Sequence, residues 1–198
     1  DIDPREANKS GADYAICGSC PHRGKATTAL DKVLAVERTC YVIIFQAPLN
    51  VWKSFHRGIY GRAVDSEAIA DVGDGNEVRL GAYGDPAAVP AYVWKALLSR
   101  ASGNTGYSHQ SGLDDADFVA DIMMVSADNL AMAQAAWAKG YRTFRLVDSL
   151  DDITENEINC PASKEAGQRT TCANCGLCAG SSIQAKSIAI VAHGNGAK

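Results

Sequence analysis

Seven cysteines fall in two groups with a long cysteine-free stretch between them: Cys17, Cys20 and Cys40 near the start, and Cys160, Cys172, Cys175 and Cys178 near the end. The count is odd, and the first residues, Asp1-Ile2-Asp3-Pro4-Arg5-Glu6, lack the basic start and apolar run of an export signal. Metal ligation therefore fits better than a full disulfide framework. Two sites, one of three thiols and one of four, consume the whole set. The other use of a single cysteine is as a buried thiol.

The later group reads Cys160-Pro161, an eleven-residue gap, then Cys172-Ala-Asn-Cys175-Gly-Leu-Cys178. Two consecutive C-x2-C steps let successive thiolates turn around one inorganic centre, with Gly176 and Gly180 free to adopt positive φ. The spacing resembles the ligand run of a [4Fe–4S] ferredoxin with the Cys-Pro moved to the front. Zinc is the rival, because four thiolates also make a closed tetrahedral site. In the earlier group, Cys17-Gly-Ser-Cys20-Pro-His22-Arg23 and Cys40 leave one ligand position to fill. Either His22 completes a Cys3His zinc site, or the fourth position stays open to a cofactor, water or substrate.

Between the groups, strand and helix patterns alternate. Val42–Phe45 reads as a strand and Leu49–Phe55 as a helix; Glu77–Tyr83 reads as a strand and Val89–Arg100 as a helix. Thr105–His109 and Ala120–Ser126 read as strands. Asp128 reads as the cap of a helix running to Lys139 and closed by Gly140. Tyr141–Val147 and Ser187–Ala192 complete the strands. Met123 and Met124 alternate with Ile122 and Val125, which is packing rather than sulfur chemistry. This order predicts one α/β domain over 1–198, a partial (open) parallel α/β barrel with Cys-rich metal-binding loops at 17–40 and 160–180.

Sites on parallel sheets gather at the carboxyl ends of the strands. The residues expected there are Tyr83-Gly84-Asp85, Tyr107-Ser108-His109-Gln110, Ser126-Ala127-Asp128, Asp148 and His193-Gly194. Asp85, His109 and Asp128 are the candidate catalytic groups, able to move protons or bind a ligand. Each also has an ordinary role: Asp128 as a helix cap, Asp85 as the start of a turn before Pro86, and His109 and His193 as polar loop residues.

Composition narrows the function. The 46% hydrophobic and 21% charged content is that of a folded globular chain, and no apolar run is long enough to span a membrane. A cytoplasmic location follows as an expectation. A formal charge of −4 argues against general nucleic-acid binding, leaving a local face built from Arg23, Lys25, Arg57, Arg62 and Arg169 as the basic surface open to it. No P-loop, dinucleotide fingerprint or hydrolase triad is present.

Several unusual motifs, Cys17-Gly-Ser-Cys20-Pro-His-Arg, Arg79-Leu-Gly-Ala-Tyr-Gly-Asp-Pro-Ala-Ala-Val-Pro90, Gly106-Tyr-Ser-His-Gln110, Cys160-Pro-Ala-Ser-Lys-Glu and Thr170-Thr-Cys-Ala-Asn-Cys-Gly-Leu-Cys178, resemble an uncharacterised cysteine-rich family encoded by bacteriophages and mobile elements. That resemblance implies a host-cytoplasmic location and no particular activity. Gly81-Ala-Tyr-Gly84-Asp85-Pro86 is also similar to the Gly-Gly-Glu-Pro strand end of radical S-adenosylmethionine enzymes, and Ser126-Ala-Asp128 to their Ser-x-Asp strand end. This second resemblance implies cofactor binding by Tyr83, Gly84, Asp85 and Ser126. Those enzymes carry a tight C-x3-C-x2-C loop, whereas here the cysteines are Cys17, Cys20 and Cys40. The expected function is thus a metal-binding, iron–sulfur protein, in its enzymatic form similar to radical S-adenosylmethionine enzymes. The alternative is a zinc-stabilised, non-enzymatic protein that binds nucleic acid or a host protein.

Overall fold

A sequence that alternates short β-branched runs with Ala-rich helical ones can pair its strands side by side only in parallel, because each return is made by a crossover. The computed structural model, which describes residues 2–110 and 116–192, has this form. Its strands are β1 (Glu77–Leu80), β2 (Gly103–Ser108), β3 (Met124–Ala127), β4 (Thr143–Val147), β5 (Glu157–Asn159) and β6 (Ser187–Val191). They make one sheet in the order β1-β2-β3-β4-β6-β5, with every neighbouring pair parallel. The expected parallel α/β architecture is present, and the sheet is open, with β1 and β5 at its edges.

The helices are α1 (Pro4–Ser10), α2 (Tyr14–Cys17), α3 (Ala47–His56), α4 (Ser66–Gly73), α5 (Ala91–Leu98), α6 (Ala116–Ile122), α7 (Leu130–Trp137) and α8 (Cys172–Cys175). Helices α5, α6 and α7 carry the first three crossovers. The last crossover, from β5 to β6, contains only the single turn of α8 and a 3-10 turn, so the Cys-rich segment stands where a helix would otherwise cover the sheet.

Successive strand residues point to opposite faces, and β3 shows the consequence. Val125 packs with Ala120 of α6 and Ala136 of α7, whereas Met124 packs with Ile188 of β6 and Cys178. Tyr107, Phe144, Ile158, Cys160 and Leu177 join the second cluster. Cysteine side chains and their loop therefore form part of the core on the face opposite α6 and α7.

Three sequence expectations change. Residues 42–45 are not a strand: they lie outside the sheet and lead into α3, with Ile44 buried but Ile43 and Phe45 exposed. Strand propensity without a neighbouring strand has nothing to pair with. The expected strand at 120–126 divides, because residues 120–122 end α6 and β3 begins at Met124. Asn129, not Asp128, caps α7, its side chain accepting the Met132 N–H at 2.9 Å. His193 and Gly194 lie outside the described residues.

Candidate metal and ligand site at the strand ends

The first 40 residues have little regular structure, so side chains must hold them together. Buried Asn8 does much of this: its amide donates to Asp13 Oδ2 at 2.7 Å and to the Arg23 carbonyl at 3.0 Å, and its Oδ1 accepts the Ala35 N–H. Arg23 in turn pairs with Asp13. Lys25 and Val36 exchange both backbone hydrogen bonds, and this bridge folds the chain back on itself. The Cys40 N–H then reaches the His22 carbonyl at 2.9 Å. A nineteen-residue gap in sequence is closed in this way, bringing Cys40 beside Cys17 and Cys20. Burial pushes the Cys17 thiol up to about 12, with the charges of Asp13, Cys20 and Cys40 adding to the effect. Burial also raises Cys20, which feels Cys40, Asp85 and Asp128 as well.

This lobe docks on the carboxyl ends of β1 and β2. The Asp85 N–H donates to the Ile16 carbonyl at 2.5 Å, and Gln110 Nε2 donates to the Cys17 carbonyl at 3.2 Å. At Gly84 the backbone has φ of +87°, and an added Cβ would sit 2.9 Å from the Ile16 carbonyl oxygen. A glycine is required there both by the backbone angle and by the close approach of the lobe. The Asp85 carboxylate is buried and accepts from Ser108 Oγ (2.8 Å), the His109 N–H (2.8 Å) and the Ala87 N–H (2.9 Å). It ties the end of β1 to the end of β2 and sets the position of His109.

From that position His109 meets two groups. Its Nδ1 lies 3.7 Å from Cys20 Sγ, and its Nε2 lies 3.5 Å from Asp128 Oδ1, at the end of β3. His22 Nε2 approaches the same Asp128 oxygen at 3.3 Å. Among the described residues, His22, His109 and Asp128 are the group of three potential metal ligands whose atoms lie within 4.8 Å of one another. Burial lowers the pKa of His109 by more than Asp128 raises it, so its ring is held neutral. A neutral imidazole has a lone pair to offer a metal or a proton.

The four later cysteines line a second pocket, together with Thr105 and Tyr107 of β2 and Ile188 of β6. Burial is the main cause that raises Cys160, and burial pushes Cys178 up to about 11. Arg79 of β1 lies at the edge of this pocket, close enough to Cys172 to interact with it electrostatically. Its guanidinium sits 5.5 Å over the Tyr107 ring and donates to Tyr41 Oη at 2.8 Å. Arg142 holds the loop that follows, donating to the carbonyls of Leu177 (2.8 Å), Gly180 (2.8 Å) and Lys186 (2.6 Å).

The strand ends thus bring together Asp85, His109 and Asp128 with Cys20. They do not bring every expected residue to the same place. Tyr83 is half-buried with its hydroxyl 3.5 Å from the Pro4 carbonyl, and Ser126 is buried within β3. Of the basic residues, Arg23 and Lys25 are paired with Asp13 and Glu37. His22 enters the site beside Asp128 and His109, a grouping no sequence spacing could signal across 106 residues. No protein-family model, curated protein or solved structure matches the chain. No helix among the described residues is long and apolar enough to cross a membrane.

Proposed function

We propose that the chain is an iron–sulfur protein on a partial parallel α/β barrel, of phage or mobile-element type, whose reactions take place where the N-terminal lobe meets the ends of β1, β2 and β3. The observation that supports this most is the separation of the seven cysteines into two groups, four around one pocket and three beside Asp85, His109 and Asp128. Spacing favours a cluster over zinc in the four-cysteine pocket. Tetrahedral zinc with bonds of about 2.3 Å needs thiolates about 3.8 Å apart. The consecutive steps Cys172-x2-Cys175-x2-Cys178 suit a cubane, which gives each thiolate its own iron and so accepts wider spacing. The raised thiol pKa values mean that loading must displace protons.

At the N-terminal site, Cys17, Cys20 and Cys40 would hold a cluster with one open iron. A bound cluster supplies one-electron chemistry to a ligand there, which in this reading is S-adenosylmethionine. In this reading Asp85, beside Gly84, would meet the ligand's amino group, with half-buried Tyr83 and buried Ser126 supporting the strand ends, and His109 and Asp128 would hold a proton when no metal ion occupies them. Anaerobic purification with iron and acid-labile sulfide analysis, followed by S-adenosylmethionine titration, tests the proposal. The expected result is a coloured protein containing both elements and a saturable ligand site. Colourless protein with stoichiometric zinc overturns it.

A second reading, a zinc-stabilised docking protein, draws support from the exposed apolar residues of 41–64. Tyr41, Val51, Phe55, Ile59 and Tyr60 are each at least half exposed. Such a surface suits a protein partner better than nucleic acid.

A further inference from the structure

His22, His109 and Asp128 come from three different parts of the chain, and their contacts are poor as hydrogen bonds. At 3.3 and 3.5 Å from Asp128 Oδ1, both imidazole nitrogens lie beyond the usual N–H···O range of about 2.7–3.2 Å. They do fit another geometry. Around a tetrahedral ion with metal–nitrogen and metal–oxygen bonds of about 2.0–2.1 Å, ligand atoms stand about 3.3–3.4 Å apart.

The far sides of both rings support the same conclusion. His22 Nδ1 is 2.8 Å from Thr39 Oγ1, and His109 Nδ1 is 3.7 Å from Cys20 Sγ, so each ring is oriented with Nε2 toward the shared oxygen. Ligating histidines are commonly fixed through their second nitrogen in this manner. Because Asn129 caps α7, Asp128 has no capping duty and its carboxylate is available. We propose that Nε2 of His22, Nε2 of His109 and Oδ1 of Asp128 bind a single divalent first-row transition ion, leaving a coordination position open at the mouth of the strand-end site.

Three protein ligands and an open position are the pattern of a reactive rather than a structural ion, and the ligand taken there would be water or another oxygen donor. None of the three ligands is a thiolate, so the site stands whether or not the cysteines hold iron and sulfide. It also directs His22 away from a Cys3His zinc site.

The test uses the full chain, purified anaerobically, with iron and sulfide measured first and zinc then titrated against a chromogenic chelator. Compared with the native chain, His22→Ala and Asp128→Ala should each bind one fewer equivalent of zinc, with iron and sulfide unchanged. Thr39→Ala, which removes only the outer partner of His22, should keep the equivalent but weaken it roughly tenfold. X-ray absorption at the zinc edge should show that this equivalent has nitrogen and oxygen neighbours and no sulfur. Equal zinc binding by the native chain and both alanine variants overturns the site, as does sulfur in the shell of the one equivalent that the variants lose, read as the difference between native and variant spectra. Absence of iron and sulfide would count against the iron–sulfur reading alone, since the zinc difference is measured independently.

Discussion

The Cys20 sulfur lies 3.7 Å from Nδ1 of His109, although 89 residues separate them in sequence. This contact joins a loop without regular structure to the carboxyl end of β2, where Asp85 holds the His109 backbone. Thiol chemistry and imidazole chemistry therefore share one location, and substitutions on either side should be felt by the other.

Replacing Asp85 should do more than remove a charge. Three protein donors converge on its buried carboxylate, and Asp85→Ala would leave Ser108 Oγ and the His109 and Ala87 N–H groups without it. A loss of about 2–4 kcal/mol in stability is expected, in line with the cost of orphaning buried polar groups. Denaturant unfolding measures it, and a midpoint unchanged from native would contradict the anchoring role. Asp85→Asn, which keeps the size and one acceptor oxygen, should retain more stability while weakening any amine-bearing ligand at the strand ends.

Asp128 and Asn129 should behave oppositely despite being neighbours. Asn129→Ala removes the α7 cap and should cost about 1 kcal/mol. Asp128→Asn leaves the cap in place and should change the melting temperature little. A larger stability loss from Asp128→Asn than from Asn129→Ala would return the capping role to Asp128.

The four-cysteine pocket should depend on Arg142 as well as on its thiols. Arg142 is buried and grips three carbonyls of the loop at 177–186, a fork that lysine cannot reproduce. Arg142→Lys should speed metal release to a chelator, and Cys175→Ala should abolish binding at this pocket and lower the melting temperature. Metal retention and melting temperature equal to native in Cys175→Ala would remove the cysteine from the ligand set.

Acid should weaken the fold partly through Glu157. Burial raises its pKa, but hydrogen bonds from Arg145 and Thr154 outweigh that and leave it below the ordinary glutamate value. A folded pKa below the unfolded one means the contribution is present above the unfolded value of about 4.3 and is lost as pH falls through the folded value. The Glu157→Gln variant should therefore be less stable than native near neutrality, with the gap closing in acid. A gap independent of pH would show that the charge on Glu157 does not matter.

Much of the frame is legible in local sequence. Polar and apolar residues alternate in β1 and β4, and β6 is a short apolar, β-branched run; such local patterns need no distant information to be read. Intervening helical segments then require the strands to be parallel, and strand-end residues such as Asp85, His109 and Asp128 follow from that topology. The run at 42–45 shows the limit, since its composition is that of a strand but no neighbouring strand pairs with it.

The cysteine types and their C-x2-C spacings determined by themselves that thiols would be grouped, since two such steps can turn around a single centre. Only the tertiary structure decided what those groups face. Cys40 reaches its partners through the bridge between Lys25 and Val36, and Cys178 reaches the core because the segment before β6 covers the sheet in place of a helix. The approach of His22 to Asp128 across 106 residues depends on how the N-terminal lobe docks against Gly84 and Gln110. That docking is a sum of hydrogen bonds and close contacts between distant segments, and such long-range terms leave no periodic trace in the chain.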